Sequence, residues 1–519
     1  MFEQSATRLR NALGLAFLAL LAGAGVAQAN LVISSNPTAH MDCGDGVCEP
    51  TASKANLNAT DLENLISQYG NVRVMTTGQK VEATNIVVNA SFATPDSTSL
   101  TLDAIGAITV NAPVSIGGGT AELELQSGTG STLGDISFGP NGDITFGSTS
   151  DLFNINGGVF QLEGTLPDLA KAANAKPSGF YALTNSYDAS ADGTYQSSPV
   201  STAFTGYFEA LGNTISNLTI NVTPGDGEDI GLFAELEGNG GFGVVRNLRL
   251  AKASVLSNYA TDIGAIAGVV GQNAVVAQSS STGEVQAGDS SSAGGVVGWN
   301  DLGSVISSWS SAKVTAGNTF ASVGGLVGSS EGTIANSYAT GAVMGGEFSD
   351  AGGLAGDGSD ISGCFATGDV YTVVGGTSAG GLVGDAAGSI KNSYAEGNVS
   401  GASGGYQNQL GGLTGYEEAR GSANYSTGKV TGSSSDLIGG VVGWDITRSG
   451  YSQTFWDTTT SGLSQGAGES NGHETLTGLT SSQLRSGLPA GFRKTVWNEK
   501  AKTNHGFPYL IDNPPPKSK

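Results

Sequence analysis

Charge and histidine are both scarce in this chain. Asp, Glu, Lys and Arg make up 13% of its 519 residues, about half the share of an ordinary soluble domain. Only three histidines occur, His40, His473 and His505. They fall in the leader and the tail with no metal-ligand spacing, which argues against a histidine-built metal centre. Basic residues are scarcer still, 22 Lys and Arg against 45 Asp and Glu. The resulting charge of −23 repels nucleic acid and anionic lipid, so neither is an expected partner. No cofactor is expected beyond weak attraction of divalent cations such as calcium to the acidic shell. Beyond the N-terminus no run is long and apolar enough to span a bilayer, and the repeat region lacks any ten-residue stretch of helical periodicity.

Cysteine is also rare, with three copies. Cys43 and Cys48, in Cys-Gly-Asp-Gly-Val-Cys, can close a small disulfide loop after export. The alternatives are free thiols or a metal loop with Asp42, Asp45 and Glu49. Cys364 takes the repeat position held by Ser337 and Ser393, a small residue in a column without chemistry.

What the chain has is glycine, 82 residues of 519, and its arrangement is periodic. A phrase of Gly, Gly or Ala, two small or aliphatic residues and Gly occurs seven times, starting at Gly264, Gly294, Gly324, Gly352, Gly380, Gly411 and Gly439. The starts lie 28 to 31 residues apart. Between them an aromatic precedes a Val by five positions, at Trp309, Tyr338, Phe365, Tyr394 and Tyr425. A fixed period of this length marks a solenoid, because one unit cannot bury its apolar side alone. The apolar runs are short, rich in Val, Ile and Leu, and bounded by Gly, Ser, Asn and Asp, so the units are strands. The expected fold is an all-β parallel β-helix, one long rod in which the seven glycines form a ladder where the backbone is pinched.

The organisation along the chain follows. Residues 1–29 have the charged start (Arg8, Arg10), uncharged stretch and Ala27-Gln28-Ala29 end of a secretory signal peptide, which sends the mature chain out of the cytoplasm. Residues 30–70 form a leader and N-terminal cap, irregular to 56, then a helix over Asp61 to Tyr69 with Thr60 as N-cap and Gly70 as stop. Residues 71–164 are strand after strand with a looser repeat. Residues 165–230 are a transition with a short helix at Leu166 to Ala173. Residues 231–450 hold the glycine repeats, and 451–519 a C-terminal cap and tail, with a short helical turn at Thr480.

The segments FTGYFEALGNTISNLTI (204–220), IGLFAEL (230–236), the seven glycine phrases and the ending FWDTTTSGLSQGAG, GLTSSQL and FPYL resemble bacterial exported proteins with GLUG-motif repeats. Residues 57–163 are similar to the β-helical shafts of filamentous-haemagglutinin-like adhesins. The resemblance implies a right-handed β-helix with short capping helices on the outer cell surface, used for adhesion to a glycan or a host or matrix surface. It brings no catalytic residues with it, because the repeat is architectural.

Two sets of side chains could bind. The aromatic column could stack sugar rings, although stacked aromatics at coil spacing ordinarily serve burial. The position after each glycine phrase offers aromatics beside acids: Trp299 with Asp301, Asp357, Asp385, Tyr416 with Glu417, and Trp444 with Asp445. If that turn faces solvent, aromatic faces cover a sugar's apolar side while acids accept its hydroxyls or hold calcium; otherwise the acids keep a stacked surface soluble. A carbohydrate-active lyase or hydrolase on the same scaffold is the alternative, and would need acids converging in one groove. A structural spacer is the third.

Overall fold

A computed structural model describes residues 29–78, 81–128, 135–222, 229–258, 262–317, 319–418, 420–447, 450–472 and 475–516. Residues 1–28 of the signal peptide expected over 1–29, and His473, lie outside the described residues. The chain is a parallel β-solenoid of about 14 turns. One coil shows why. Ser322–Gly324, Val327–Ala335, Tyr338–Ala339 and Val343–Gly345 pair in parallel with Asp350–Gly352, Ala355–Ser362, Phe365–Ala366 and Val370–Thr372, in register but for one extra residue between Ser330 and Thr333. Register is fixed because a one-residue slip would turn every buried side chain outward. Thus Val323, Leu326, Ile334, Ala339 and Val343 are buried, as are their counterparts Ala351, Leu354, Ile361, Ala366 and Val370.

The glycine phrase is dictated by contact. The first glycines of all seven copies pair in one ladder, from Gly264 to Gly439. A Cβ on Gly352 would lie 1.8 Å from the Ala355 carbonyl oxygen, and one on Gly356 would lie 2.3 Å from the Val323 amide nitrogen of the preceding coil. Backbone meets backbone at both places, so no side chain fits.

The winding is interrupted once in the shaft that the sequence reads as continuous over 71–164. Leu152–Ile155 pairs antiparallel with Gly158–Glu163 across Asn156 and Gly157, at φ 47° and 83°, the Asn-Gly pair that a tight hairpin turn requires. Parallel pairing then resumes between Gly158–Glu163 and Phe180–Leu183. Strand direction therefore reverses, and the apolar interior divides into one core containing Leu31, Val88 and Leu125 and another running from Leu166 to Trp456. The last coil of the first core would end in unpaired carbonyls. Arg246 Nη2 donates to Ile136 O at 2.9 Å, and Arg249 Nη2 to Gly139 O at 2.6 Å and Gly142 O at 3.0 Å, closing that edge.

The ends are covered by more structure than the sequence suggests. The leader holds four strands, Asn30–Ser34, Met41–Gly44, Val47–Pro50 and Ala55–Asn58. Their shortness hides them, but Asn30–Ser34 pairs with both Ala55–Asn58 and Asn85–Val88. Cys43 and Cys48 stand opposite each other on the hairpin and are joined by a disulfide. Helix α1 spans Ala59–Tyr69 and is capped by Asn58, whose side chain accepts from the Thr60 and Asp61 amides; Thr60 lies inside the helix. Its Leu62 and Ile66 are buried in the first core. Helix α2, Leu166–Ala175, is capped by Thr165 and sets Leu166, Leu169 and Ala173 into the second core.

At the C-terminus Leu476–Leu479 pairs with Tyr451–Asp457. The chain then leaves the end and folds back along the outer wall. Trp497 Nε1 donates to Asn392 Oδ1 (3.3 Å), Tyr425 OH to Pro508 O (2.6 Å), and Asn513 Nδ2 to Ser337 O (3.1 Å) and Gly363 O (2.9 Å). The tail is a strap laid against the aromatic column, burying Phe365, Tyr394 and Tyr425 under Phe492, Trp497 and Phe507.

Candidate functional site

After each glycine turn the chain enters a strand whose residues alternate between interior and exterior. Val297–Asn300, Val327–Ala335, Ala355–Ser362, Val383–Lys391, Thr414–Glu417 and Val442–Asp445 stack in register. The half-exposed file is Trp299, Ser329, Asp357, Asp385, Tyr416 and Trp444. Asp301 lies just past the end of its strand, Val297–Asn300, and five of the other seven predicted binding residues share one face. Two do not. Glu417 and Asp445 are one step further along their strands and point inward, 0% and 1% exposed. Glu417 accepts from Tyr451 OH, and Asp445 Oδ1 accepts from the Thr447 amide at 2.7 Å. They belong to the core, because a single-residue step in a strand reverses the face.

The neighbouring short strands contribute to the same surface. Asp350 lies within electrostatic reach of Asp357 and Asp385, with Glu331 and Glu418 at the margin. Burial, first, and like charge, second, raise these carboxyls: Asp350 to about 7, despite a hydrogen bond to Ser378, and Asp385 to about 8. Asp350, Asp357 and Asp385 are half-buried on this face. At the other end Asp301 acts on Glu235 in the same way, after burial and the charges of Glu237 and Asp229. Tyr416 packs edge-on to Trp444, centroids 5.4 Å apart and planes at 66°, and its OH donates to Glu418 Oε1 at 3.0 Å. Trp299 stands four coils from Tyr416, roughly 19 Å at strand spacing.

The aromatic column is unsuited to sugars for a geometric reason. Trp309, Tyr338, Phe365, Tyr394 and Tyr425 stack with centroids 4.7 to 5.8 Å apart and planes within 7°. Each ring face lies against the next ring, and the strap covers three of the five residues.

One surface group escapes sequence reasoning: exposed Phe320 and Tyr406 with half-buried Phe348 between them, at the corner before the short strands. Their spacing of 28 and 58 residues, one and two repeats, is the signal that could have found them. Among the described residues no group of three or more His, Cys, Asp or Glu is arranged to hold a metal ion, and no helix is long and apolar enough to cross a membrane. Concavities lined by Asn30, His40 and Lys54, and by Trp456, Thr458 and Leu463, include none of the file residues.

The GLUG motif model matches residues 321–344 and 375–400. Halomucin of Haloquadratum walsbyi is 38% identical over 110 residues, which cover 21% of this chain and 1% of halomucin. A solved structure from Bacteroides ovatus, described as a "putative immunoglobulin A1 protease", is similar over 68% of this chain and 93% of its own, with 17% identity and a TM-score of 0.39. Both GLUG stretches fall within single coils of the second core, and the chain is a β-solenoid with two stretches that match the GLUG motif.

Proposed function

We propose that this chain is an exported, non-catalytic surface rod that binds a glycan along this half-exposed file, in the manner of an adhesin. The observation that carries it is the file itself: an aromatic at Trp299, an aromatic pair at Tyr416 and Trp444, and between them Asp350, Asp357 and Asp385. Ring faces suit the apolar side of a sugar. Carboxyls that keep their proton near neutral pH both donate to and accept from its hydroxyls, and they need no calcium to do so. GLUG repeats on a β-helix fit an extracellular protein. Many similar contacts along a rod sum by multivalency.

The specific observation favouring the enzyme alternative is that the same two carboxyls, Asp350 and Asp385, are raised toward the range useful to a general acid. One titration separates the readings. Neutral and uronate oligosaccharides are added while tryptophan fluorescence and new reducing ends are followed. Binding without new ends is expected, weakened about ten-fold by Tyr416→Ala or Trp444→Ala, the scale of one stacking contact. New ends that disappear with Asp385→Asn would establish the carbohydrate-active enzyme, lyase or hydrolase, instead. Surface location is checked by antibody on host cells: labelling only after permeabilisation would overturn it.

A further inference from the structure

Four successive coils hold one residue at the same corner in left-handed backbone geometry: Ser290 at φ 55°, Phe320 at 53°, Phe348 at 51° and Gly376 at 83°. Glycine adopts that conformation freely, whereas a bulky residue is strained in it. Two phenylalanines in adjacent coils are therefore not explained by the turn. Nor are they explained by burial, since Phe320 is 64% exposed. Their rings stack, with centroids 5.2 Å apart and planes 15° apart. Phe348 also lies over Gly376, where a Cβ would come within 2.5 Å of the ring, and so reaches Tyr406, two coils on, at 4.7 Å. Tyr406 is 62% exposed, and Val373 and Val374 are exposed on the intervening coil.

Charge selects the occupant. The six turns at this corner, residues 286–291, 315–321, 344–349, 372–377, 401–408 and 432–437, contain Asp289, Glu347 and Asp436 and no lysine or arginine. Phe320 and Phe348 stack, and Phe348 meets Tyr406 at a tilt of 49°. The two end rings are exposed: Phe320 neighbours the coil of Ser290 and Asp289, and the counterpart of Tyr406 in the next coil is Ser434, two residues from Asp436, whose carboxylate accepts from the Asn408 amide, Asn408 Nδ2 and the Ser433 amide. An open aromatic face beside a carboxylate attracts a cation through the ring quadrupole and Coulomb's law together. A second copy of this chain, at −23, is repelled.

We propose that Phe320, Phe348 and Tyr406 form a docking strip for a cationic segment of a partner protein. Its Lys or Arg heads cap the two exposed end rings, and their aliphatic stems lie on the ring edges and Val374. Phe348 stands two residues before Asp350, but none of the three rings belongs to the file whose variants test glycan binding, so either reading can fail without the other.

The probe is a peptide alternating arginine and leucine, titrated against the full chain at fixed moderate salt. The comparison is the triple variant Phe320→Gly, Phe348→Gly, Tyr406→Ser, which leaves the net charge unchanged and so preserves general attraction to an acidic rod. About ten-fold weaker binding by the variant is expected, with a thermal unfolding temperature no lower than the original, because glycine relieves the turn. Equal affinity overturns the proposal. So does discrimination by neutral dextran in place of the peptide, which would make the strip a glycan site. Should the triple variant unfold early, Phe320→Gly alone, at the open end of the stack, gives the same comparison with the same two outcomes.

Discussion

Methionine in place of Arg246 is expected to cost the fold about 3–5 kcal/mol, the scale set by breaking one partner of a buried charged network. Arg246 is 3% exposed and Glu209 fully buried. The guanidinium donates to Ile136 O, to Gln278 Oε1 at 2.8 Å and to Tyr207 OH at 3.3 Å. Glu209 is held by Asn247 Nδ2 and the Leu211 amide, both at 2.9 Å. Burial pushes its pKa up, and the charge of Arg246 pulls it back. Methionine removes that pull and also uncaps the strand edge at Ile136–Phe138. The measurement is a guanidinium unfolding curve of the full chain. A loss under about 1 kcal/mol, the size of an ordinary surface pair, would show that the junction between the two cores does not depend on this residue. Adding Glu209→Gln should recover part of the loss, because it removes the stranded charge.

The second large effect is that the protein is more stable at pH 5 than at pH 8. Glu396 lies under the strap, accepting from Asn504 Nδ2 (2.7 Å) and Tyr425 OH (3.3 Å). Burial nonetheless raises it from 4.5 to about 7. Asp350 is raised from 3.8 to about 7 and Asp385 from 3.8 to about 8, burial first in both. The sign follows from proton counting. Between the unfolded and folded values the native state holds protons that the unfolded chain has lost, so stability is fully present below about pH 4 and falls as pH rises to 7 or 8. At about 1.4 kcal/mol per unit, Glu396 and Asp350 each account for about 3–4 kcal/mol over that window. Asp188, lowered by hydrogen bonds from Asn217 and Ser190, works the other way but is fully exposed. Urea midpoints at the two pH values test this. A midpoint equal or higher at pH 8 would contradict it, and Glu396→Gln should flatten the part of the slope that belongs to the strap.

The glycine phrases were legible because their cause is local and repeated: backbone approaches backbone at Gly352 and Gly356, and every coil meets the same constraint. The cap at Asn58 was not, because Thr60 is an equally good capping residue by type, and only the path of the preceding strand sets where the helix starts. Asn156-Gly157 is a hairpin pair in any sequence, yet in a chain with this much glycine it does not stand out from the solenoid turns around it. Phe320, Phe348 and Tyr406 were passed over because Gly376 breaks their period; the break is what lets Phe348 and Tyr406 touch.

By itself the sequence determined that this chain coils, with what period, and which residues line the interior. Those properties follow from apolar alternation and from positions where no side chain fits. Tertiary structure alone decided which face each flank residue takes, since Tyr416 and Glu417 differ by one position and point to opposite sides of the same strand. It also decided the fate of the aromatic column. A strap more than eighty residues distant in sequence binds Tyr425 through Pro508, and contacts across such a separation leave no periodic trace in the chain that makes them.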